Sequence, residues 1–174
     1  SLSGSVEGGF HIAYTTDDDT ATTTDDDYVD NDGTLVFAGT NGETKTISVR
    51  VNGDSQVELD ERFLVSLGDL SQISASAADR INVEGSPAAG EIGNDDTTTL
   101  TIGDVLRVEG TGGTASDFTF SVVLSNAIQG GFSVSYATTD GSATSGSGDY
   151  GAESGMLEFS GSAGETKTVT VQVA

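Results

Sequence analysis

An internal repeat constrains this fold more than any other feature of the chain. Residues 2–52 align with residues 124–174 at a constant offset of 122 without a gap, and 23 of the 51 aligned pairs are identical. Identity at this level over an unbroken stretch is typical of tandem duplication of one structural module. The 174-residue chain therefore contains one repeat unit of about 122 residues and 52 residues of another.

Both copies carry the residue pattern of short β-strands. Apolar residues alternate with Ser, Thr or charged residues in Thr34–Phe37, Lys45–Val51, Arg62–Leu67, Phe118–Leu124, Phe132–Tyr136 and Thr166–Val173. Such alternation places β-branched and aromatic residues on one face of a strand, and Gly, Asn and Asp clusters separate the runs. Only residues 74–78 have the pattern of a helical turn. The sequence predicts an all-β protein with Tyr28, Phe37, Tyr150 and Phe159 in its core.

Charge and composition exclude several classes of partner. The 28 acidic and 6 basic side chains give a formal net charge of -22. A polyanion displaces no counter-ions from phosphates, so nucleic acid and anionic membranes are excluded, and cations are favoured. The chain has no Cys and a single His, His11, which excludes thiolate and His-rich metal sites. No apolar run approaches the roughly 18 residues of a membrane span, so no membrane insertion is expected.

The boundary between the two modules is predicted in the polar turn at Gly93–Asp96, which gives modules 1–96 and 97–174. The first module lacks a counterpart of Leu100–Val123, and the second lacks a counterpart of Glu58–Leu67. Each module is therefore expected to expose unpaired strand edges. Two interpretations follow: the chain is a window of a longer array, or neighbouring copies supply the strands.

Four motifs in a fixed order resemble those of Calx-β domains. Residues 136–150, and less closely 14–28, resemble the T-x-D-G-T-A-x-x-G-x-D-Y signature. Glu58–Leu67 resembles E-x-x-E-x-F-x-V-x-L, Gly90–Asp96 resembles the closing G-x-I-x-x-D-D, and Val108–Gly110 resembles the opening V-x-E-G. The resemblance implies tandem immunoglobulin-like antiparallel β-sandwich (Greek-key) modules, each incomplete here, that hold Ca²⁺ in loops at one end.

The resemblance also implies a set of metal-binding residues. Calcium takes 6–8 oxygen ligands, and its charge removes the repulsion between gathered carboxylates. Gly53 and Asn94 depart from the family pattern, since acids often stand at those two positions. The residues at family ligand positions are Asp27, Asp54, Glu58, Glu61, Asp95 and Asp96 in the first module and Glu109 and Asp149 in the second.

Two other interpretations of the acidic residues stay open. Asp17–Asp19, Asp25 and Asp26 have mostly non-acidic counterparts in the second copy, which favours a solvated face that keeps the protein soluble. Asp27 and Asp149 precede a Tyr in a turn, where an Asp side chain often caps the backbone.

The sequence gives little support to catalysis. His11 lies in no nucleophile context, and no Gly-x-Ser-x-Gly, P-loop or dinucleotide motif occurs. We therefore expect a non-enzymatic, calcium-binding structural repeat of a secreted or cell-surface adhesin, stalk or matrix protein. One alternative is a filament subunit assembled by β-strand complementation between chains, and another is a calcium-sensing regulatory module. Expected partners are neighbouring repeats or copies of the chain at open sheet edges, and a cell-surface or matrix ligand.

Overall fold

The computed structural model describes residues 1–108 and 114–174. This part of the chain forms two compact units, Ser1–Asp54 with Leu59–Asn94 and Ser55–Glu58 with Asp95–Ala174. The boundary expected after Asp96 stays a prediction. The elements are β1 (Phe10–Asp18), β2 (Tyr28–Val29), β3 (Gly33–Phe37), β4 (Arg50–Val51), β5 (Glu61–Ser71), α1 (Ala75–Ala78), β6 (Ala88–Ile92), β7 (Leu100–Ile102), β8 (Ser116–Leu124), β9 (Phe132–Ala137), β10 (Ser154–Phe159) and β11 (Thr166–Val173).

The first unit is built on a four-stranded antiparallel sheet in the order β3-β1-β5-β6. Strand β1 lies inside this sheet, where Phe10 pairs with Phe37 of β3 and Thr16 pairs with Val65 of β5. A short ladder joins β2 to β4. Alternation along β1 and β3 buries one face of the sheet, as period-two patterning requires. Two buried clusters result, Phe10, Ile12 and Phe37, and Ala21, Tyr28 and Phe63.

The second unit contains a three-stranded sheet in the order β11-β8-β7 and a β10-β9 pair. Strand β8 pairs antiparallel with β11 along its whole length, with Phe120 opposite Val169. The side chains at every second position of β8 turn inward. The buried core consists of Val122, Leu124, Leu157, Phe159, Val169 and Val171.

Each copy of the repeat forms the same strand pair, β1 with β3 in the first unit and β9 with β10 in the second. Phe37 pairs with Phe10 in the first unit, and Phe159 pairs with Phe132 in the second. The ring centroids of these pairs lie 5.0 and 5.1 Å apart in stacked geometry. Equal sequence at these positions therefore gives equal local packing.

One predicted strand is largely wrong. Lys45–Val51 has the same alternation as Lys167–Val173 and is identical to it at four of seven positions, yet only Arg50–Val51 forms a ladder. The equivalent strand β11 is paired along Thr166–Val173 because β8 lies beside it. No described strand takes the place of β8 beside residues 44–49. The alternation of residues 45–51 is that of a strand, but a strand also needs a neighbouring strand to form hydrogen bonds with its backbone N–H and C=O groups.

The remaining structural expectations are mostly confirmed. All strand pairs between the named elements are antiparallel, and the one helical turn falls at Ala75–Ala78 as the sequence predicts. Tyr28, Phe37 and Phe159 are buried, but Tyr150 is only partly so. In the first unit the ring of Phe63 in β5 stacks on the ring of Tyr28, with the ring centroids 4.7 Å apart. The described second unit has no strand equivalent to β5, so no such ring covers Tyr150. Among the described residues, no helix is long and apolar enough to cross a membrane.

Candidate metal centre

The loop between β1 and β2 is organised by Asp27. Its Oδ2 accepts a hydrogen bond of 2.6 Å from the backbone N–H of Thr22, and its own N–H donates to the Thr22 carbonyl at 3.1 Å. Asp149 repeats both bonds with Thr144, at 2.8 and 3.2 Å. Hydrogen bonds from Ser147 and then Thr144 lower the pKa of Asp149 below its usual value. The turn-capping interpretation therefore describes both residues.

A second repeated contact joins an Asp to the Tyr that follows the turn. The hydroxyl of Tyr28 donates to Asp18 at 2.7 Å, and the hydroxyl of Tyr150 donates to Asp140 at 2.6 Å. The Tyr hydrogen bond is the main reason that the pKa values of both Asp side chains lie below their usual range. Asp18 therefore holds its loop in place, a role that the solvated-face interpretation missed.

Two further acids, Asp17 near the end of β1 and Asp19 at the start of the loop, lie on the surface. Asp17 accepts hydrogen bonds from Thr15 and Ser66, at 3.0 and 3.1 Å. Asp19 forms an ion pair with Arg62. Both carboxylates are exposed, which fits the solvated face that the sequence favours for them.

Two of the eight sequence-predicted ligands come together in the first unit. Asp27 and Glu61 each offer a carboxylate oxygen, and these two oxygens lie within 4.8 Å of each other. Both side chains are half-buried. Asp27 is fixed by the turn before β2, and Glu61 is the first residue of β5, opposite Ile92 of β6. Glu58 belongs to the second unit, where it accepts a hydrogen bond of 2.5 Å from Gln56, and its role as a ligand stays a prediction.

This donor set fits calcium. Calcium binds oxygen at about 2.3–2.6 Å, so two oxygens on one ion are separated by at most about 5 Å. The 4.8 Å limit on the carboxylate oxygens of Asp27 and Glu61 lies inside that span. Carboxylates are hard oxygen ligands, and Ca²⁺ tolerates irregular arrangements of them better than Mg²⁺ does. A bound ion would supply positive charge where these two negative groups meet.

The other predicted ligands are not members of this cluster. Asp54 and Asp95 are exposed, and Asp96 is half-buried. Asp149 occupies in the second unit the position that Asp27 occupies in the first. Glu109 lies outside the described residues. Their roles as ligands stay predictions.

Sequence reasoning missed Glu43 and Glu165. The carboxylate of Glu43 accepts the backbone N–H groups of Ala38 and Gly39, each at 3.1 Å, and pairs with Lys45 at 2.9 Å. Glu165 caps the equivalent loop and pairs with Lys167 at 2.8 Å. These contacts, led by the Lys pair, lower the pKa of each Glu to about 2. The repeated Gly-Glu-Thr-Lys motif was the signal that could have identified them.

Solved structures that are similar to this chain include two CBD12 structures. CBD12 from CALX1.2 is 21% identical with a TM-score of 0.40, and the match covers 99% of this chain and 65% of that one. The calcium binding domain CBD12 of CALX1.1 is 21% identical with a TM-score of 0.45, and the match covers 97% and 64%. The chain thus spans less than two thirds of the solved chains that it matches. No curated protein matches the sequence.

The expected secreted or cell-surface location is not upheld by the comparisons. Acidity and the absence of Cys fit a calcium-binding domain in more than one compartment, so these properties do not determine a location.

A family comparison accounts for the order of the motifs and for the repeat. The model of the Calx-beta domain matches residues 1–104 and again residues 94–174. Together these two matches include every residue of the chain. The turn-capping Asp27 lies in the first match, and its counterpart Asp149 lies in the second. The chain belongs to the Calx-beta domain family.

Proposed function

We propose that this chain is a non-catalytic calcium-binding module in which Asp27 and Glu61 of the first unit hold the ion. The observation that carries the proposal is the meeting of their two half-buried carboxylate oxygens within 4.8 Å. Like charges gathered in this way repel one another. A divalent cation reverses that effect, so its binding stabilises the folded arrangement.

The proposed role of the ion is structural. Asp27 lies in the loop before β2, whereas Glu61 begins β5 in the four-stranded sheet. An ion held by both would tie the loop to the sheet and resist their separation. In an array of such modules, calcium would then decide how rigid each repeat is.

Thermal unfolding tests the proposal directly. The melting temperature of the chain would be measured with 5 mM Ca²⁺, with 5 mM Mg²⁺ and with chelator, at constant ionic strength. A ligand at 100 times its Kd stabilises the folded state by about 2.7 kcal/mol. For a unit of this size the corresponding rise in Tm is on the order of 10 °C. We expect a rise with Ca²⁺ and a much smaller one with Mg²⁺.

Variants assign the effect to the cluster. Glu61→Gln keeps the size of the side chain and removes its charge, so we expect it to abolish most of the calcium-dependent rise. Asp27→Asn keeps an oxygen that can accept the Thr22 N–H and should also weaken the response. Asp149→Asn is the matched control, because Asp149 caps the equivalent turn of the second unit and is not a member of the cluster. A calcium response that survives in Glu61→Gln and Asp27→Asn would overturn the proposed site.

A further inference from the structure

Asp26 has a backbone conformation that residues with side chains rarely adopt. Its φ is 68°, in the left-handed region that favours glycine, and it directly precedes the proposed calcium ligand Asp27. In the second unit the same position holds Gly148, which has a φ of 85°. Both turns therefore need this conformation, but the first unit forms it with a residue for which it is less favourable than for glycine.

The side chain of Asn52 holds Asp26 in this conformation. Its Nδ2 donates to the backbone carbonyl of Asp26 at 2.9 Å and to the Asp26 carboxylate at 3.0 Å. Asn52 directly follows β4, and the ladder of β4 with β2 fixes its backbone close to the turn. One half-buried amide thus restrains both the main chain and the side chain of Asp26.

The second unit shares the backbone part of this arrangement and lacks the side-chain part. The N–H of Asn52 donates to the Asp27 carbonyl at 3.0 Å, and the N–H of Ala174 makes the same bond with Asp149 at 3.1 Å. Ala174 has no amide to offer to the residue before Asp149, and that residue is a glycine. The side-chain amide therefore occurs in the unit whose left-handed residue is not glycine.

We propose that Asn52 is a positioning residue of the calcium site, which keeps Asp26 left-handed and so keeps the Asp27 carboxylate beside Glu61. This inference rests on the proposed function, in which Asp27 and Glu61 hold the ion. Without the two amide hydrogen bonds, Asp26 also populates negative φ, and the chain then enters Asp27 in a different direction. Only molecules with the competent loop bind calcium, so the apparent Kd rises as their fraction falls.

A double-mutant cycle tests this role. The calcium Kd is measured by isothermal titration calorimetry, well below the melting temperature, for the parent, Asn52→Ala, Asp26→Gly and the double variant. We expect Asn52→Ala to raise the Kd about fivefold when Asp26 is present, through the loss of its side-chain hydrogen bonds. The same change should have almost no effect when glycine stands at position 26, because glycine adopts positive φ without support.

The chain offers a matched control for the loss of an amide. Asn82→Ala removes a hydrogen bond of 2.9 Å from Nδ2 to the Glu84 carboxylate, and neither residue belongs to the turn or the cluster. Its calcium Kd should equal that of the parent. Alanine at position 52 is the residue that the second unit has at the equivalent place, so we expect Asn52→Ala to fold.

The outcomes distinguish this inference from the proposed function. A calcium Kd that does not change in Glu61→Gln and Asp27→Asn, or a parent that binds no calcium, overturns both. If those two variants weaken binding but Asn52→Ala leaves the Kd unchanged, only the role of Asn52 is overturned, and a lower Tm of Asn52→Ala in chelator would then mark a purely structural contact. Equal rises in Kd with Asp26 and with glycine at position 26 also overturn it, because Asn52 would then act without Asp26.

Discussion

At the residue scale, the two copies of the repeat distinguish an acid that caps a turn from one that also meets a second predicted ligand. Asp27 and Asp149 cap equivalent turns with the same bonds, but of these two residues only Asp27 meets another predicted ligand, Glu61, within the described residues of its own unit. The cap is encoded locally, because donor and acceptor are five residues apart. The cluster depends on residues that the chain brings from elsewhere. The sequence therefore predicts the cap from spacing alone, but it identifies the cluster only through the family motif.

The capping carboxylates of Glu43 and Glu165 predict a response to acid. Their folded-state pKa values of about 2 lie below the ordinary value of 4.5. Groups with a lowered folded-state pKa stabilise the fold above their unfolded pKa, and this contribution is lost as they take up protons. We expect the free energy of unfolding, measured with urea, to fall as the pH drops from 4.5 towards 2.

A double variant isolates this contribution. Glu43→Gln with Glu165→Gln should be less stable at neutral pH and should lose less stability between pH 4.5 and 2, because both titrating groups are gone. Asp18 and Asp140, whose pKa values are also lowered, remain in both proteins. Parallel curves for the parent and the double variant would refute the assignment.

At the scale of the element, β6 depends on a glycine opposite an aromatic ring. Gly90 pairs with Phe63 of β5, and a Cβ at Gly90 would lie 2.3 Å from a ring carbon of Phe63. That ring is buried and stacked on Tyr28, so it has little room to move. The ring covers the glycine and holds β6 against β5.

We expect Gly90→Ala to destabilise the first unit by about 1–3 kcal/mol, the usual effect of overpacking. The midpoint of urea unfolding measures this change. Gly53→Ala is the control, because an added Cβ there meets nothing within 4 Å and Gly53 has no positive φ. Equal midpoints for the two variants would show that the Phe63 ring yields without strain.

At the scale of the whole molecule, net charge opposes compactness. The formal charge of -22 is spread over 174 residues with only 6 basic side chains to offset it. Repulsion among exposed carboxylates is strongest at low ionic strength and is screened by salt. Calcium at the proposed site would add a specific, saturable contribution to this general effect.

The dependence of Tm on salt therefore distinguishes general charge repulsion from the contribution of calcium. We expect the Tm to rise by several degrees when NaCl increases from about 0.05 to 0.5 M, since the Debye length falls below the spacing of most surface charges. Choline chloride should act equally, because the effect needs only ionic strength. A Tm independent of both salts would mean that surface repulsion contributes little to stability.

The repeat, the all-β class, the strand faces, the turns and the acids that match the family motif all follow from the amino-acid pattern. The strand faces and turns are local properties, because a residue spacing of two decides which face a side chain takes. Which strands pair, and which acidic side chains come together, depends on the tertiary structure. Residues 44–51 and 166–173 are identical at five of eight positions and share the same alternation, yet only the second segment is a full strand, because β8 lies beside it. A strand partner and a set of metal ligands both come from distant parts of the chain, so local pattern does not specify them.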